Sequence, residues 1–358
     1  MRQSMPMSET TSPSERAAAG GRRKSHLAAR LEDRWHRWRQ RRARAAGRVS
    51  TIIPFTGYGS PGWARILARV VMAKPESPSA RQRDKVRGWR SFLRVPTDVR
   101  DLIVRIGGET HIVPIGRGGI VDAHVDVRLA PGWHTVELDV ADGEPVGTQV
   151  FIVDPAERFG VISDIDDTVM VTALPRPLVA AWNTFIVDEH ARMPVAGMAV
   201  LYDRIRRQHT GSPIIYLSTG PWNIAPTLDR FLGRNLYPQG PFLLTDWGPT
   251  PDRFFRNGRE HKRHQLRRLA EEFPDLRWLL FGDDGQHDEE LYAEFAREHP
   301  RNVTAVCIRQ LTSSEAVLAG GRKRAADREA ESPVRWFFGP NGASLLEQLV
   351  TAGIISGR

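Results

Sequence analysis

The run Val161-Ile162-Ser163-Asp164-Ile165-Asp166-Asp167-Thr168 drives an apolar segment straight into three carboxylates. Like charges packed at one point repel unless a cation neutralises them. A hard cation with oxygen ligands suits such a set, and magnesium keeps only a few protein carboxylates beside water and phosphate. A polar turn capping the next helix would need one such residue, not three. A second apolar run, Leu279-Leu280-Phe281, also ends in acids, at Gly282-Asp283-Asp284, with Asp288 close behind. A third, Ile214-Ile215-Tyr216-Leu217, ends in Ser218-Thr219-Gly220, whose hydroxyls and turn amides suit phosphate oxygens. Lys262, in the polar run His261-Lys262-Arg263-His264, offers an ammonium that can pair with phosphate and carboxylate together. Taken alone, the hydroxyl run and the lysine say little, since most lysines are simply solvated.

These groups need elements that bring them to one place. Phe159–Ser163, Pro213–Ser218, Pro241–Leu244, Trp278–Phe281 and Val303–Ile308 are short apolar runs separated by helical segments. That alternation predicts buried parallel strands in a doubly wound α/β domain, expected over residues 156–358. In such sheets ligands bind at the carboxyl ends of strands, where the acids and hydroxyls stand. Residues 320–335 read as a polar loop, and 336–358 as a final helix on Leu345, Leu346, Leu349 and Val350. Upstream, Val121, Ala123, Val125, Val127 and Leu129 alternate with polar residues, as do Leu102, Val104, Ile106 and Val136, Leu138, Val140. Short alternating strands with Gly/Pro turns predict an antiparallel sandwich-like domain over 49–155. A polar loop interrupts it near 74–85. Gly116-Arg117-Gly118-Gly119 lacks the strand and helix of a phosphate loop and reads as a turn.

Charge sets the N-terminal segment apart. The chain of 358 residues carries a formal charge of +9, and residues 1–48, with 13 Lys/Arg and 4 Asp/Glu, account for all of it. A neutral body excludes a nucleic-acid binder that is basic throughout. The tail reads as an appended anchoring element, disordered at first, then a helix over 25–46 with Leu27, Leu31, Trp35 and Trp38 on one stripe. Such a stripe suits an anionic lipid surface; a solvated basic helix on the body is the alternative. One cysteine, Cys307, permits no intrachain disulfide. No run approaches a membrane span or the apolar core of a signal peptide, so the expected address is cytoplasmic, with peripheral contact on the inner face of the membrane.

The order of the motifs makes them specific. Asp-x-Asp-x-Thr, a strand ending in serine, a lysine, then Gly-Asp-Asp resembles the haloacid-dehalogenase superfamily of phosphatases. More narrowly, Ile162–Thr168, Tyr216-Leu217-Ser218 with Pro221-Trp222-Asn223, and Gly282-Asp283-Asp284-Gly285-Gln286-His287-Asp288 resemble the catalytic domain of the actin-patch-type phosphatidate phosphatase family and its bacterial relatives. The resemblance covers roughly 160–310 and fades upstream. It implies Asp164 as the nucleophile and Asp166 as general acid, then base. It implies Mg²⁺ held by Asp164, the Asp166 carbonyl and Asp283, with Asp288 a further candidate. Thr168 would steady the loop within a phosphate-binding set of Thr168, Ser218, Thr219 and Lys262. Asp284 departs from the family, where serine is commoner, which leaves the metal shell open.

Substrate follows from spacing. Only 49 residues separate Thr168 from Ser218, and 43 separate Ser218 from Lys262. Neither gap is long enough for a large cap domain once connecting helices are counted. An open site suits a bulky substrate, such as a phosphorylated lipid at a bilayer or a phosphoprotein. The competing readings are a phosphatase for a soluble phosphoester or nucleic-acid end, and a non-catalytic binding module. The sequence leaves oligomeric state open.

Overall fold

The computed structural model describes residues 42, 44–73, 95–97, 99–171, 192–245, 251–285, 287–312, 332 and 334–357. The basic segment expected to form a helix over 25–46 lies almost wholly outside them, as do the loop at 74–85 and most of the polar stretch 320–335.

The first module is built from β1 (Val49–Ser60), β2 (Trp63–Ala73), β3 (Val95–Pro96), β4 (Asp101–Ile106), β5 (Glu109–Pro114), β6 (Ile120–Asp126), β7 (Gly132–Asp139) and β8 (Val146–Ile152). The expected alternation holds: Leu102, Val104 and Ile106 point inward, as do Val136 and Leu138. Where the sequence suggested a sandwich, the strands form one eight-stranded sheet in the order β3-β2-β1-β8-β7-β4-β5, with β6 on β2. The sheet curls until it nearly closes, because β5 comes back into contact with β6. Its pairings are antiparallel except β1 with β8, which run parallel.

The second module follows at once. Its strands are β9 (Phe159–Asp164), the short β10 (Met170–Val171) and β11 (Met193–Pro194), then β12 (Ile214–Pro221), β13 (Phe242–Thr245), β14 (Arg277–Asp283), β15 (Val303–Arg309) and β16 (Arg335–Gly339). Its helices are α1 (Met198–Gln208), α2 (Ala225–Arg234), α3 (Pro251–Glu272), α4 (Asp288–Glu298) and α5 (Gly342–Thr351). Six strands form a parallel sheet in the order β13-β12-β9-β14-β15-β16. Each apolar run of the sequence is a strand of it. β16 was not anticipated: residues 335–339 read as the end of a loop and the start of a helix, yet they pair with β15 before α5 begins. Chain order reverses at β9, since β12 lies on one side and β14 on the other. That reversal opens a crevice at the carboxyl ends of these three strands.

The modules are joined by packing and by charge. Phe55, Tyr58, Leu67, Phe151 and Val153 belong to the same apolar cluster as the α/β core, while the β module keeps a second core of its own. At the seam Tyr58 Oη donates to Glu272 at 2.8 Å, and Arg65 grips both Glu272 and Asp122. Arg268 also donates to Asp122, at 2.7 Å. Arg268 and Glu272 both lie on α3, so the β module buttresses the helix that carries Lys262.

Candidate active site

Strand ends deliver the site. Asp164 is the last residue of β9, Ser218 lies near the end of β12, and Asp283 closes β14. Lys262 comes from α3. It lies four and seven residues before Leu266 and Leu269, so it shares their buried stripe rather than the solvated face of the helix. Asp164, Asp166, Thr168, Ser218, Lys262, Asp283 and Asp288 are all buried.

Lys262 is the hinge of the arrangement. Its Nζ donates to Asp164 Oδ1 and to Asp288 Oδ1, both at 2.6 Å. Burial by itself would push its ammonium toward neutrality; the two carboxylates outweigh that and hold it charged. Burial pushes the carboxyls of Asp164 and Asp283 well above the ordinary carboxylate range, and neighbouring acids add to the rise. Lys262 pulls in the opposite direction on both. Asp164, Asp283 and Asp288 each present a carboxylate oxygen, all within 4.8 Å of one another. The Oδ2 of each is buried and has no hydrogen-bond partner. Three clustered carboxylates, each with one oxygen lacking a partner, fit a hard divalent cation.

Asp166 stands beside this cluster, and its carboxylate is not part of it among the described residues. Its Oδ2 accepts from Ser218 Oγ at 3.0 Å, while Ser218 Oγ accepts from the Gly220 amide at 3.0 Å. That amide fixes the serine hydroxyl so that its proton points at Asp166. Burial raises the Asp166 carboxyl above its usual range against the pull of Ser218, Lys262 and Arg192. A raised carboxyl is one that can hold a proton and give it up. Thr168 Oγ1 is buried with no hydrogen-bond partner. Thr219 is placed differently from its neighbours: its methyl side abuts α3 at Gly258.

Asp284 and Asp288 take different parts. Asp284 Oδ1 accepts from the Leu311 amide at 2.8 Å, so this carboxylate caps the segment after β15. Asp288, the first residue of α4, joins the acid cluster. Gly282 makes room for it. A Cβ there would come within 2.7 Å of both Asp288 Cβ and Tyr292. The helices that bear Lys262 and Asp288 are held in register by a ladder of ion pairs: Arg259–Glu290 at 2.7 Å, Arg263–Glu294 at 2.6 Å and Arg267–Glu298 at 2.6 Å. Each partner steps four residues along its helix, one turn at a time.

Two contributors escaped the sequence reading. Tyr202 on α1 meets the Ser163 hydroxyl at 2.6 Å, and Ser163 donates to the Asp164 carbonyl. Arg309 closes β15 and reaches the loop after Asp164, where its Nη1 donates to the Asp167 carbonyl. Its position, at the carboxyl end of an apolar strand run, was the available signal.

Carboxylates, a charged lysine and hydroxyls are gathered at the switch point of a parallel sheet, a set of groups that suits phosphoryl oxygens and a cation. Residues 159–310 match the family described as Phosphatidate phosphatase APP1, catalytic domain. The family resemblance read from the motifs is borne out over that stretch. The chain is 23% identical over 234 residues to Phosphatidate phosphatase APP1 of Saccharomyces cerevisiae, which takes in 65% of this chain and 37% of that protein. It is 25% identical over 154 residues to an uncharacterized protein of Schizosaccharomyces pombe, covering 43% of this chain and 25% of that one. The chain therefore spans well under half the length of these curated relatives. A carbohydrate acetylesterase structure from Xanthomonas citri overlays 80% of the chain at 9% identity and a TM-score of 0.28, too little to bear on fold or chemistry. No helix among the described residues is long and apolar enough to cross a membrane.

Proposed function

We propose that this chain is a magnesium-dependent phosphatase that hydrolyses a phosphomonoester through an aspartyl-phosphate on Asp164, with phosphatidate or a related lipid phosphate as substrate. The observation that carries the reading is Lys262 Nζ between Asp164 and Asp288, beside three carboxylate oxygens that lack protein partners. On this reading the six-stranded sheet is a doubly wound fold of the haloacid-dehalogenase kind. The lipid substrate is supported by the family match and by what the yeast relative is called. The basic segment 1–48 would bring the enzyme to anionic bilayers, where each basic residue near the surface contributes about 1 kcal/mol.

Asp164, Asp283 and Asp288 would hold the magnesium ion, which when bound supplies positive charge against the phosphoryl oxygens. Lys262 orients Asp164 through Oδ1 and adds its own charge on the phosphate. A carboxylate oxygen of Asp164 attacks phosphorus as the bond to the leaving alkoxide oxygen breaks. Asp166, aimed by Ser218, donates its proton to that oxygen, so the alcohol departs neutral. Asp166, now a carboxylate, takes a proton from water as the water oxygen attacks the phosphorus of the acyl phosphate. Inorganic phosphate leaves and the Asp164 carboxylate returns. The test is phosphate release from phosphatidate in mixed micelles, with lysophosphatidate and soluble phosphoesters alongside. Turnover that needs Mg²⁺ and is lost in Asp164→Asn is expected; undiminished turnover by a folded Asp164→Asn protein would refute the reading.

A further inference from the structure

Asp167 lies between the proposed acid Asp166 and Thr168, and its φ of 59° is left-handed, a conformation that disfavours side chains. A non-glycine residue stays there only when its surroundings hold it. Two bonds do so. The Asp167 amide donates to the Met170 carbonyl at 2.8 Å, closing the turn locally. Its carbonyl accepts from Arg309 Nη1 at 2.8 Å, and that bond comes from 142 residues away.

Arg309 is a buried residue at the end of β15, directly across from Asp283 on β14. Its own carbonyl accepts from the Asp284 amide at 3.1 Å, and the Asp284 carboxylate takes the Leu311 amide. A single residue thus touches the turn of the nucleophile loop and the strand end that carries Asp283. Such a link fixes the separation of two acids that come from different strands. The position of Asp284 has the same sense: it staples the chain just beyond Arg309 rather than facing the acid cluster.

We infer that Arg309, braced by Asp284, is a positioning residue: it clamps the strained Asp167 turn to the end of β14 and so sets Asp164 and Asp166 relative to Asp283. The inference rests on the phosphatase reading for its functional consequence, but the clamp itself is a statement about the loop. Groups that support metal ligands from behind typically change metal affinity or activity about 10–100-fold when removed.

The experiment uses the full chain, as wild type, Arg309→Met and Arg309→Lys. Amide hydrogen exchange over the peptide spanning 164–171 reads the clamp without any turnover. Arg309→Met is expected to speed exchange there about tenfold, leaving peptides of β4 and β7 unchanged. Mn²⁺ binding followed by electron paramagnetic resonance reads the acid cluster, and should weaken about 10–100-fold. Steady-state kinetics should show kcat falling with KM nearly constant. Arg309→Lys, which keeps a donor on a shorter reach, should lie between. Exchange at 164–171 identical to wild type overturns the clamp, whatever the activity. Faster exchange with unchanged Mn²⁺ affinity and kcat overturns the positioning role. A wild type that binds no Mn²⁺ and turns over no phosphoester refutes the phosphatase reading instead, and the exchange result still decides the clamp.

Discussion

Replacing Lys262 by methionine keeps the length of the side chain and removes the charge between Asp164 and Asp288. In the native structure two charge-assisted bonds of 2.6 Å disappear, and three buried carboxylates remain within 4.8 Å of one another. Breaking a buried pair from one side costs about 3–5 kcal/mol. Protonation of the acids offsets part of that, so the lower end, about 3 kcal/mol, is expected near neutral pH. At about 2–4 °C per kcal/mol, Tm in a chelating buffer should fall by about 6–12 °C. The pH dependence has a definite sign. Burial already raises the Asp164 carboxyl and Lys262 lowers it, so the variant raises it further. A carboxyl whose folded pKa exceeds its unfolded one favours the fold at low pH and ceases to do so as pH rises through the folded value. The deficit of Lys262→Met should therefore be smaller at acid pH and grow as the pH rises. Removing the ammonium also leaves the cluster more negative, which favours a cation there. Mg²⁺ at about 100 times its Kd stabilises a site by about 2.7 kcal/mol, and the Mg²⁺-induced rise in Tm should be larger in the variant at any given concentration. Differential scanning calorimetry across pH, with and without Mg²⁺, measures all of this. A variant within a degree or so of wild type in chelator, with no response to Mg²⁺ in either protein, would show that the cluster is not the cation site.

Other outcomes follow from single contacts. Gly282→Ala would drive a Cβ to 2.7 Å from Asp288 Cβ and displace it from the cluster. It should cut kcat at least about tenfold, an outer-support effect that phosphate release measures. Arg263→Glu should destabilise by about 1–2 kcal/mol through repulsion from Glu294, and the swap Arg263→Glu with Glu294→Arg should recover most of it in urea titrations. Failure of the swap to recover stability would mean the ladder does not hold α3 against α4. Leu236 is exposed with a φ of 61°, a conformation glycine adopts freely. Leu236→Gly should raise stability by about 0.5–1 kcal/mol, and a loss would show that the leucine side chain has an unseen partner.

Much of the parallel sheet was legible because buried strands read as unbroken apolar runs, and each run named in the sequence is a strand. The acids could be placed because they follow those runs directly. Lys262 was harder: its neighbours His261, Arg263 and His264 make the stretch look solvated. Only its spacing from Leu266 and Leu269 marks the buried face. Asp284 and Asp288 could not be told apart by composition, since which carboxylate turns toward the cluster depends on Gly282 and the start of α4. The closing of the β sheet upon itself was invisible because alternation reports which side of a strand is buried, not which strand lies beside it. β16 was hidden because Trp336, Phe337 and Phe338 carry neither a helical nor an alternating pattern long enough to read. Arg309 was missed because its one signal, a place at the carboxyl end of an apolar strand run, does not say what it bonds until Asp167 is seen in its left-handed turn.

The central claim is that Asp164 becomes covalently phosphorylated. Rapid acid quench of the intact chain during turnover of phosphorus-labelled phosphatidate, followed by proteolysis and mass spectrometry, tests it most directly. An acid-stable, hydroxylamine-labile phosphoryl group is expected on the peptide containing Asp164 of the wild type, and none in Asp164→Asn. Phosphate release at the normal rate with the label on a different peptide, or with no labelled peptide in the wild type, would contradict it.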